Sequence, residues 1–581
     1  MDDRSVIPRR LFAFARPLGA AAMLPLLAAC QTAPVSTPEE PSAGQTPADV
    51  TEQAQTPYQG ALQAFLTAEI ARQRGRMQEA GRWYARAASM GGRVPLYADA
   101  VDAALRAQEG AEAEEYATAW REAAPQAPQP LFGLARARLQ QGDREGAVAA
   151  FTQLVDDHPG EDALYLSAGE QLAEVRSIQA AVAVLRQVAE DRPESAVAQA
   201  AYGHLLARLG RRDPAAEALR NALSLRPDWE AAAVELARTR RVEEGLAILR
   251  KFLADYPEAD QARLRYAQGL LATGRAAEAE KVFALLAERV PERVEVQMGL
   301  GLARFRQQQW DGAEAAFRQA LGQDPGNAGA LFHLGRVAEQ RGRYREAMAY
   351  YSRVEGGAFR ERARMREAVA AVQLGELQRA LRLVRQMRSF HPGESAYYRL
   401  EARILAQMGQ LSAAEQVANQ GLQKHPDAVQ LLYARAVIRE QQGDYAGMEA
   451  DIRRVMEQQP EDAKAYNFLG YSLADRGVRL KEALRLLQKA NELAPEQGYI
   501  LDSLGWVHYR LGRLDKAEQL LRRALERTPG DAEILAHLGE VLEAQGRQEA
   551  ARGIWRKALE QAGEETGLAQ ELRRRLEGDV P

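Results

Sequence analysis

The sequence predicts an all-α solenoid, a row of similar helix-turn-helix units in place of one globular core. Three observations carry this reading. Pro159, Pro193 and Pro227 stand 34 residues apart, as do Pro257, Pro291 and Pro325; the beat resumes with Pro392, Pro426, Pro460, Pro495 and Pro529, slipping by one residue at Pro495. A fixed period of this length marks supersecondary units that bury their apolar faces on one another. The prolines are preceded at constant offsets by a glycine, an alanine and a large apolar residue: Gly142, Ala147 and Phe151 before Pro159, and Gly274, Ala279 and Phe283 before Pro291. The composition is rich in alanine, leucine, arginine and glutamate with only 7% aromatics, which suits helices packed through small residues. The 581 residues are enough for roughly fifteen such units.

Each offset has a physical reason. With the proline counted as position 32, Gly142, Gly274 and Gly512 fall at position 15, the turn between the two helices, where glycine adopts positive φ without penalty. Gly505 falls at position 8, inside the first helix, where a small residue lets the second helix come close; Ala517 and Ala524, at positions 20 and 27, keep that crossing tight. The large residue at position 24 fills the space between helices, and proline ends the unit. Three units depart from the pattern. The second lacks a clear alanine at position 20, although Gly110 and Trp120 sit plausibly. The sixth spans only 30 residues from Pro227 to Pro257, and the ninth carries Phe359 in the place of its proline, after Gly356 and Gly357. These breaks are expected to bend the array or to present special surfaces. The segment Leu568 to Leu576 reads as a capping helix, polar on its outer side as the end of an array requires.

The framework residues resemble those of the tetratricopeptide repeat across about residues 59 to 560. The resemblance implies a right-handed superhelical solenoid of about 14–15 tetratricopeptide helix-turn-helix repeats. It also implies that first helices line a concave face, with positions 2, 5, 9, 12 and 13 pointing inward. Carried onto this chain, those positions give Tyr499, Asp502, Trp506, Tyr509 and Arg510 in the fourteenth unit and Lys464, Asn467, Tyr471 and Asp475 in the thirteenth. Tyrosine, tryptophan and arginine are enriched in interface hot spots, so these nine residues are the candidate partner-binding set. The competing reading is that they pack against the neighbouring repeat. Met298, Phe305, Arg306, Phe332 and Arg336 form a second, weaker set in the eighth and ninth units. The lysine, asparagine and arginine clamp by which chaperone-binding relatives hold a free carboxyl terminus is incomplete here.

The N-terminus reads as an address. Arg9 and Arg10 precede an apolar stretch from Leu18 to Ala29, which ends in Leu27-Ala28-Ala29-Cys30. Basic, apolar and small-residue segments in that order describe an export signal. The Leu-Ala-Ala-Cys run resembles the bacterial lipobox, whose cysteine is lipidated and becomes the mature N-terminus. The apolar stretch is shorter than the roughly 20 residues a bilayer span requires. The expected organisation is therefore a lipoprotein signal peptide over 1–29, a disordered tether from a lipidated Cys30 over 30–57, the repeat solenoid over 58–560, and a capping helix and tail over 561–581. Gln31 after the cysteine, where aspartate would resemble an inner-membrane retention signal, points to outer-membrane sorting. Arg9-Arg10-Leu11-Phe12 faintly resembles a twin-arginine motif, so the export route stays open. The proline-, threonine- and alanine-rich tether buries too little apolar surface to order itself, and its 27 residues after Cys30 would reach roughly 30 Å.

No catalytic chemistry emerges. Lysine plus arginine total 76 against 80 acidic residues, a net charge of −4, which gives no basic face for nucleic acid. Of the seven histidines, His158, His391 and His425 directly precede a unit-ending proline, a turn position and not a metal site. There is no His-Glu-x-x-His, no phosphate loop and no Gly-x-Ser-x-Gly elbow, so neither an enzyme nor a cofactor is expected.

One stretch is more distinctive than a generic repeat. Asn467-Phe468-Leu469-Gly470-Tyr471-Ser472-Leu473-Ala474-Asp475-Arg476-Gly477, with Leu501-Asp502-Ser503-Leu504-Gly505-Trp506 in the next unit, looks like the large tetratricopeptide lipoproteins of Gram-negative envelopes. The architecture is similar to the LbcA-type adaptor of a periplasmic carboxyl-terminal processing protease. That resemblance implies a lipid-anchored, non-enzymatic role on the periplasmic face of the outer membrane, holding the protease beside substrates such as peptidoglycan cross-link hydrolases. A scaffold for exopolysaccharide or pilus secretion would use the same repeats. So would a partner in outer-membrane protein insertion, and an enzyme with a site hidden between repeats is the remaining alternative.

Overall fold

The computed structural model describes residues 57–91, 93–562 and 567–577. The expected signal segment, Cys30 and the tether up to residue 56 lie outside the described residues. Within the described residues every regular element is a helix. The chain divides into two compact units, 1–205 and 206–581. The first contains four antiparallel helix pairs, from Pro57–Gln73 with Met77–Gly91 to Asp162–Val175 with Ile178–Asp191. The second contains ten, from Glu230–Thr239 with Val242–Asp255 to Ala532–Ala544 with Gln548–Gln561, followed by a lone helix Gly567–Glu577. One further pair, Ala196–Arg208 with Arg212–Leu225, falls at the division. No helix among the described residues is long and apolar enough to cross a membrane.

The offsets read from the sequence do the work assigned to them. Gly142 closes the helix Gln129–Gln141 at φ 90°, its N–H donating to the carbonyls of Arg138 and Leu139, and Gly512 does the same job at φ 73°. Ala147, Ala279 and Ala517 are fully buried between the helices of their pairs. At position 8, a Cβ on Gly505 would lie 2.7 Å from Leu521 Cγ, and one on Gly470 2.7 Å from Leu487 Cγ. Only glycine permits those two crossings. His158, His391 and His425 each sit at the C-cap before proline with φ near −130° (−135°, −128° and −130°), outside the helical region that a following proline disfavours.

The departures also have structural explanations, and one expectation is corrected. The second unit does carry its buried alanine: Ala113, fully buried, is the fourth residue of Gly110–Ala123, as Ala147 is of Arg144–Asp157. Its turn is held by Gln108 at φ 65° in the place glycine takes elsewhere, so the spacing from Ala113 to Pro125 is kept while the glycine that marks it in the sequence is missing. Gly110 serves the next repeat, since a Cβ there would lie 2.7 Å from Gln141 Cγ and 3.2 Å from the Ala137 carbonyl. In the sixth unit the first helix is cut to ten residues, and Gly245 lets the second helix press against the Ala237 carbonyl, 2.6 Å from where a Cβ would stand. In the ninth unit the second helix stops after nine residues at Ser352, and a 3₁₀ turn, Gly357–Phe359, completes the connection. Phe359 then packs on Phe332 with ring centroids 5.1 Å apart.

Hydrophobic burial supplies the bulk of the packing, but neighbouring helices are also stitched by carboxylates buried beneath arginines, between repeats at Glu401 and within a repeat at Glu367 and Asp451. Glu401 takes Arg385 and Arg388, each at 2.9 Å; Glu367 takes Arg364 at 2.8 Å and Arg379 at 3.0 Å; Asp451 takes Arg435 and Arg439. Such groups are costly to bury and costly to leave unpaired, so they fix the register of adjacent helices. At the C-terminal end Gly567–Glu577 covers the last pair with Ala569 and Leu572. At the N-terminal end the first helix leaves Tyr58, Leu62, Leu66 and Ile70 exposed at four-residue spacing, one apolar stripe along one face.

Candidate partner-binding groove

The first helices of three consecutive units, Ala463–Asp475, Gly498–Arg510 and Ala532–Ala544, run side by side near the C-terminal end of the second compact unit. Helical periodicity places residues four apart on one face, so Asn467 and Tyr471, Asp502 and Trp506, and Ala536 and Glu540 form three parallel rows. Together with the lone helix Gly567–Glu577 they enclose a cavity of about 660 Å³. Six of the nine residues expected from the sequence line it: Asn467, Tyr471, Asp475, Tyr499, Asp502 and Trp506. Lys464 is exposed outside it. Tyr509 stands behind the wall, its ring 4.9 Å from that of Trp506, and Arg510 reaches away to donate to the Asp475 backbone carbonyl.

Several lining residues lie beyond that expectation. Glu533, His537 and Glu540 belong to the fifteenth unit, Trp555 to its second helix, and Leu568, Glu571, Leu572 and Arg575 to the capping helix. The positions used for the thirteenth and fourteenth units, applied one repeat further, point to Glu533 and Glu540. His537, one place off the inward register, and the capping-helix wall carry no such signal.

At the centre, His537 stacks on Trp506 with centroids 4.3 Å apart and 26° between planes, and its Nδ1 lies 2.8 Å from Asp502 Oδ1. Burial works against charging this imidazole, but Asp502, with Glu540 and Glu533 beyond it, outweighs burial and holds its pKa above the ordinary value. The Tyr471 ring tilts toward His537 at 6.3 Å. Its phenol is pushed up by burial and then by Asp475, Asp502, Glu533 and Glu440. Burial likewise raises Glu540, against the pull of Arg575 and His537. Arg575 pairs with Glu571 at 2.9 Å and Glu540 at 3.2 Å and lies over the Trp555 ring at 5.6 Å. Trp555 donates its N–H to the Ala536 carbonyl at 3.3 Å, whereas the Trp506 Nε1 and the Asn467 Oδ1 are buried with no hydrogen-bond partner among the described residues. Native interiors seldom leave such atoms unpaired, and here both belong to residues that line the cavity.

Packing against the next repeat and facing the cavity are not exclusive. Trp506 both packs on the neighbouring repeat and faces the cavity, being only 6% exposed. Tyr499, 42% exposed, stands at the mouth. The second candidate set divides. Met298 and Arg306 line a separate cavity of about 730 Å³ with Leu302 and Asn327. Phe332 is fully buried in the core of the ninth unit, and Phe305 lies beneath Arg336, whose guanidinium is 4.7 Å from the ring centroid.

A stack of helical hairpins with a lined concave site is the architecture of a binding scaffold. The family description Tetratricopeptide repeat matches residues 132–196, 196–228, 236–302, 298–361, 399–447, 473–531 and 503–565, and the chain belongs to the tetratricopeptide-repeat family. It is a scaffold of the kind that mediates protein–protein interactions. A TPR repeat-containing protein of Pseudomonas aeruginosa is 34% identical over 186 residues, a match that covers 32% of this chain and 32% of that protein. Among solved structures, a TPR protein of Thermus thermophilus is 25% identical, covering 32% of this chain and 98% of that one, at a TM-score of 0.29. A tetratricopeptide repeat protein from Parabacteroides merdae is 16% identical over 49% of this chain and 97% of that one, at 0.34. Yeast Tom70 is 13% identical, covering 89% and 95%, at 0.30.

Proposed function

We propose that this protein is a non-enzymatic adaptor, anchored through Cys30 to the periplasmic face of the outer membrane, that joins a carboxyl-terminal processing protease to cell-wall hydrolase substrates. The observation that carries it is the cavity built by three consecutive first helices and the capping helix, lined by tyrosines and carboxylates. The apolar stripe Tyr58, Leu62, Leu66 and Ile70 supports a second contact surface in the other compact unit. An adaptor needs two such surfaces, because it works by raising the effective concentration of one partner at the other. The lipobox-like run at Cys30 supports confinement to a membrane by acyl chains, which hold a protein there without crossing it.

The test is reconstitution. The purified protease and a hydrolase substrate are mixed with and without this protein, and cleavage is followed over time. Cleavage should accelerate, and the gain should disappear when the two partners are each saturated. Unchanged cleavage at every concentration sinks the adaptor reading. A pull-down from solubilised envelopes that recovers a secretion channel and no protease would point instead to a secretion scaffold.

A further inference from the structure

We propose that the C-terminal cavity is a receptor for a positively charged segment of a partner protein, with a lysine or arginine side chain seated between aromatic faces and carboxylates. This deepens the adaptor reading and rests on it for the identity of the partner, but the charge preference stands on its own observations. The walls present Tyr471 and Tyr499, with Trp506 covered by the His537 ring, and the rim and floor present Asp475, Asp502, Glu533, Glu540 and Glu571. The basic groups lining the cavity are Arg575 and His537. Arg575 is occupied by Glu571 and Glu540, and His537 by Asp502. Asp475 and Glu533 are exposed and enter no ion pair among the described residues. The cavity is therefore acidic after its internal pairs are formed. A cation over the face of tyrosine is drawn to the ring quadrupole, and carboxylates beside the ring add to that attraction.

An acidic segment is disfavoured by the same charges, since it would bring further carboxylates against a site already in excess of them. A simple metal cation is disfavoured as well, because no cluster of ligands suited to one occurs among the described residues.

The probes are two fluorescein-labelled peptides of equal length, one alternating lysine and glycine and one alternating glutamate and glycine, titrated into the full chain by anisotropy. The lysine peptide should bind saturably and weaken with salt, and the glutamate peptide should not bind. The variant Asp475→Asn with Glu533→Gln removes two exposed unpaired charges and should leave thermal unfolding unchanged. It should weaken the lysine peptide by about tenfold, the loss of two modest attractions. Equal binding of both peptides, or lysine-peptide binding unmoved by the double variant, overturns the charge preference. A separate arm follows the adaptor reading through Tyr471→Ala with Tyr499→Ala in the reconstituted cleavage assay. Acceleration lost there while the lysine peptide never binds means the cavity serves the adaptor without selecting cations. Acceleration retained while the lysine peptide binds and responds to the double variant means the receptor is real and the adaptor contact lies elsewhere.

Discussion

His333 and His537 occupy the same place in their repeats, the sixth position of the ninth and fifteenth units, and the two sites treat them oppositely. Each ring is stacked on an aromatic neighbour, His333 on Phe317 at 5.2 Å and His537 on Trp506 at 4.3 Å. Around His333 the charged neighbours are Arg336 and Arg362, themselves lying over Phe305 and Phe332. Burial and those two guanidiniums lower its pKa to about 4. Around His537 the neighbours are Asp502, Glu533 and Glu540, and its pKa is raised against burial. The helical framework is shared, so the framework does not set the chemistry. The side chains on the inward rows do. The ninth unit spends its aromatics closing a core across a broken repeat, whereas the units at the C-terminal end leave theirs around a cavity.

The largest effect that separates the two regions is expected from Phe332→Ala. Phe332 is fully buried and touches Phe359, Tyr351 and Arg362, so truncation should cost roughly 3–5 kcal/mol. Chemical denaturation should show it, with the loss confined to the units beside the break as nearest-neighbour stacking predicts. A fall under 1 kcal/mol would mean that the Phe359 substitution is a loose patch and not a replacement for the proline.

The pH dependence of the two histidines comes next. An unfolded histidine titrates near 6.5 and the folded His333 near 4, so between those values the unfolded chain holds the extra proton. His333 should therefore subtract stability as pH falls from 6.5 toward 4, by roughly 3 kcal/mol at most. His537 carries the opposite sign: its contribution is complete below its unfolded pKa and fades as pH rises through its raised folded value. Titration of both imidazoles by NMR checks the directions directly. Comparing the melting slope of the protein with that of His333→Asn checks the energetic sign, and a slope unchanged by that variant would defeat the account.

Asp502→Asn should remove the charge that raises the His537 pKa. Its expected cost is roughly 1–3 kcal/mol at pH 6, shrinking as pH rises, with the His537 pKa moving downward. A smaller change is expected at the turns. Gln308, at φ 60°, does in the eighth unit what glycine does elsewhere, so Gln308→Gly should stabilise by roughly 0.5–1 kcal/mol. Gly512→Ala, at φ 73°, should destabilise by a comparable amount. The smallest effect on stability belongs to Tyr499→Ala, within about 0.5 kcal/mol, because the ring stands at the cavity mouth. If that variant instead melts much earlier, Tyr499 is structural.

The repeat framework was legible because it is local. A proline that must follow the second helix, a residue that must take positive φ, and an alanine at a close crossing are constraints within one 34-residue unit, and they recur. Where a non-glycine residue takes the turn, as at Gln108, the glycine that marks the unit is absent and Ala113 does not stand out in the sequence. The concave rows were legible by the same ruler, which is how Asn467, Tyr471, Asp475, Tyr499, Asp502 and Trp506 could be named together. Tyr509 and Arg510 share that direction without lining the cavity, because the ruler gives a direction on one helix and not the depth set by the next.

The sequence by itself determined the unit, its period and the inward positions, since backbone conformation and helical spacing follow from neighbouring residues. Only the tertiary structure decided which inward residues face open space, that Arg575 and Leu572 of the capping helix wall the cavity, and that His537 meets Asp502 from the adjacent repeat. Those outcomes depend on how one helix stacks on another, and burial and electrostatics act through space, at distances and depths that the period of the chain does not set.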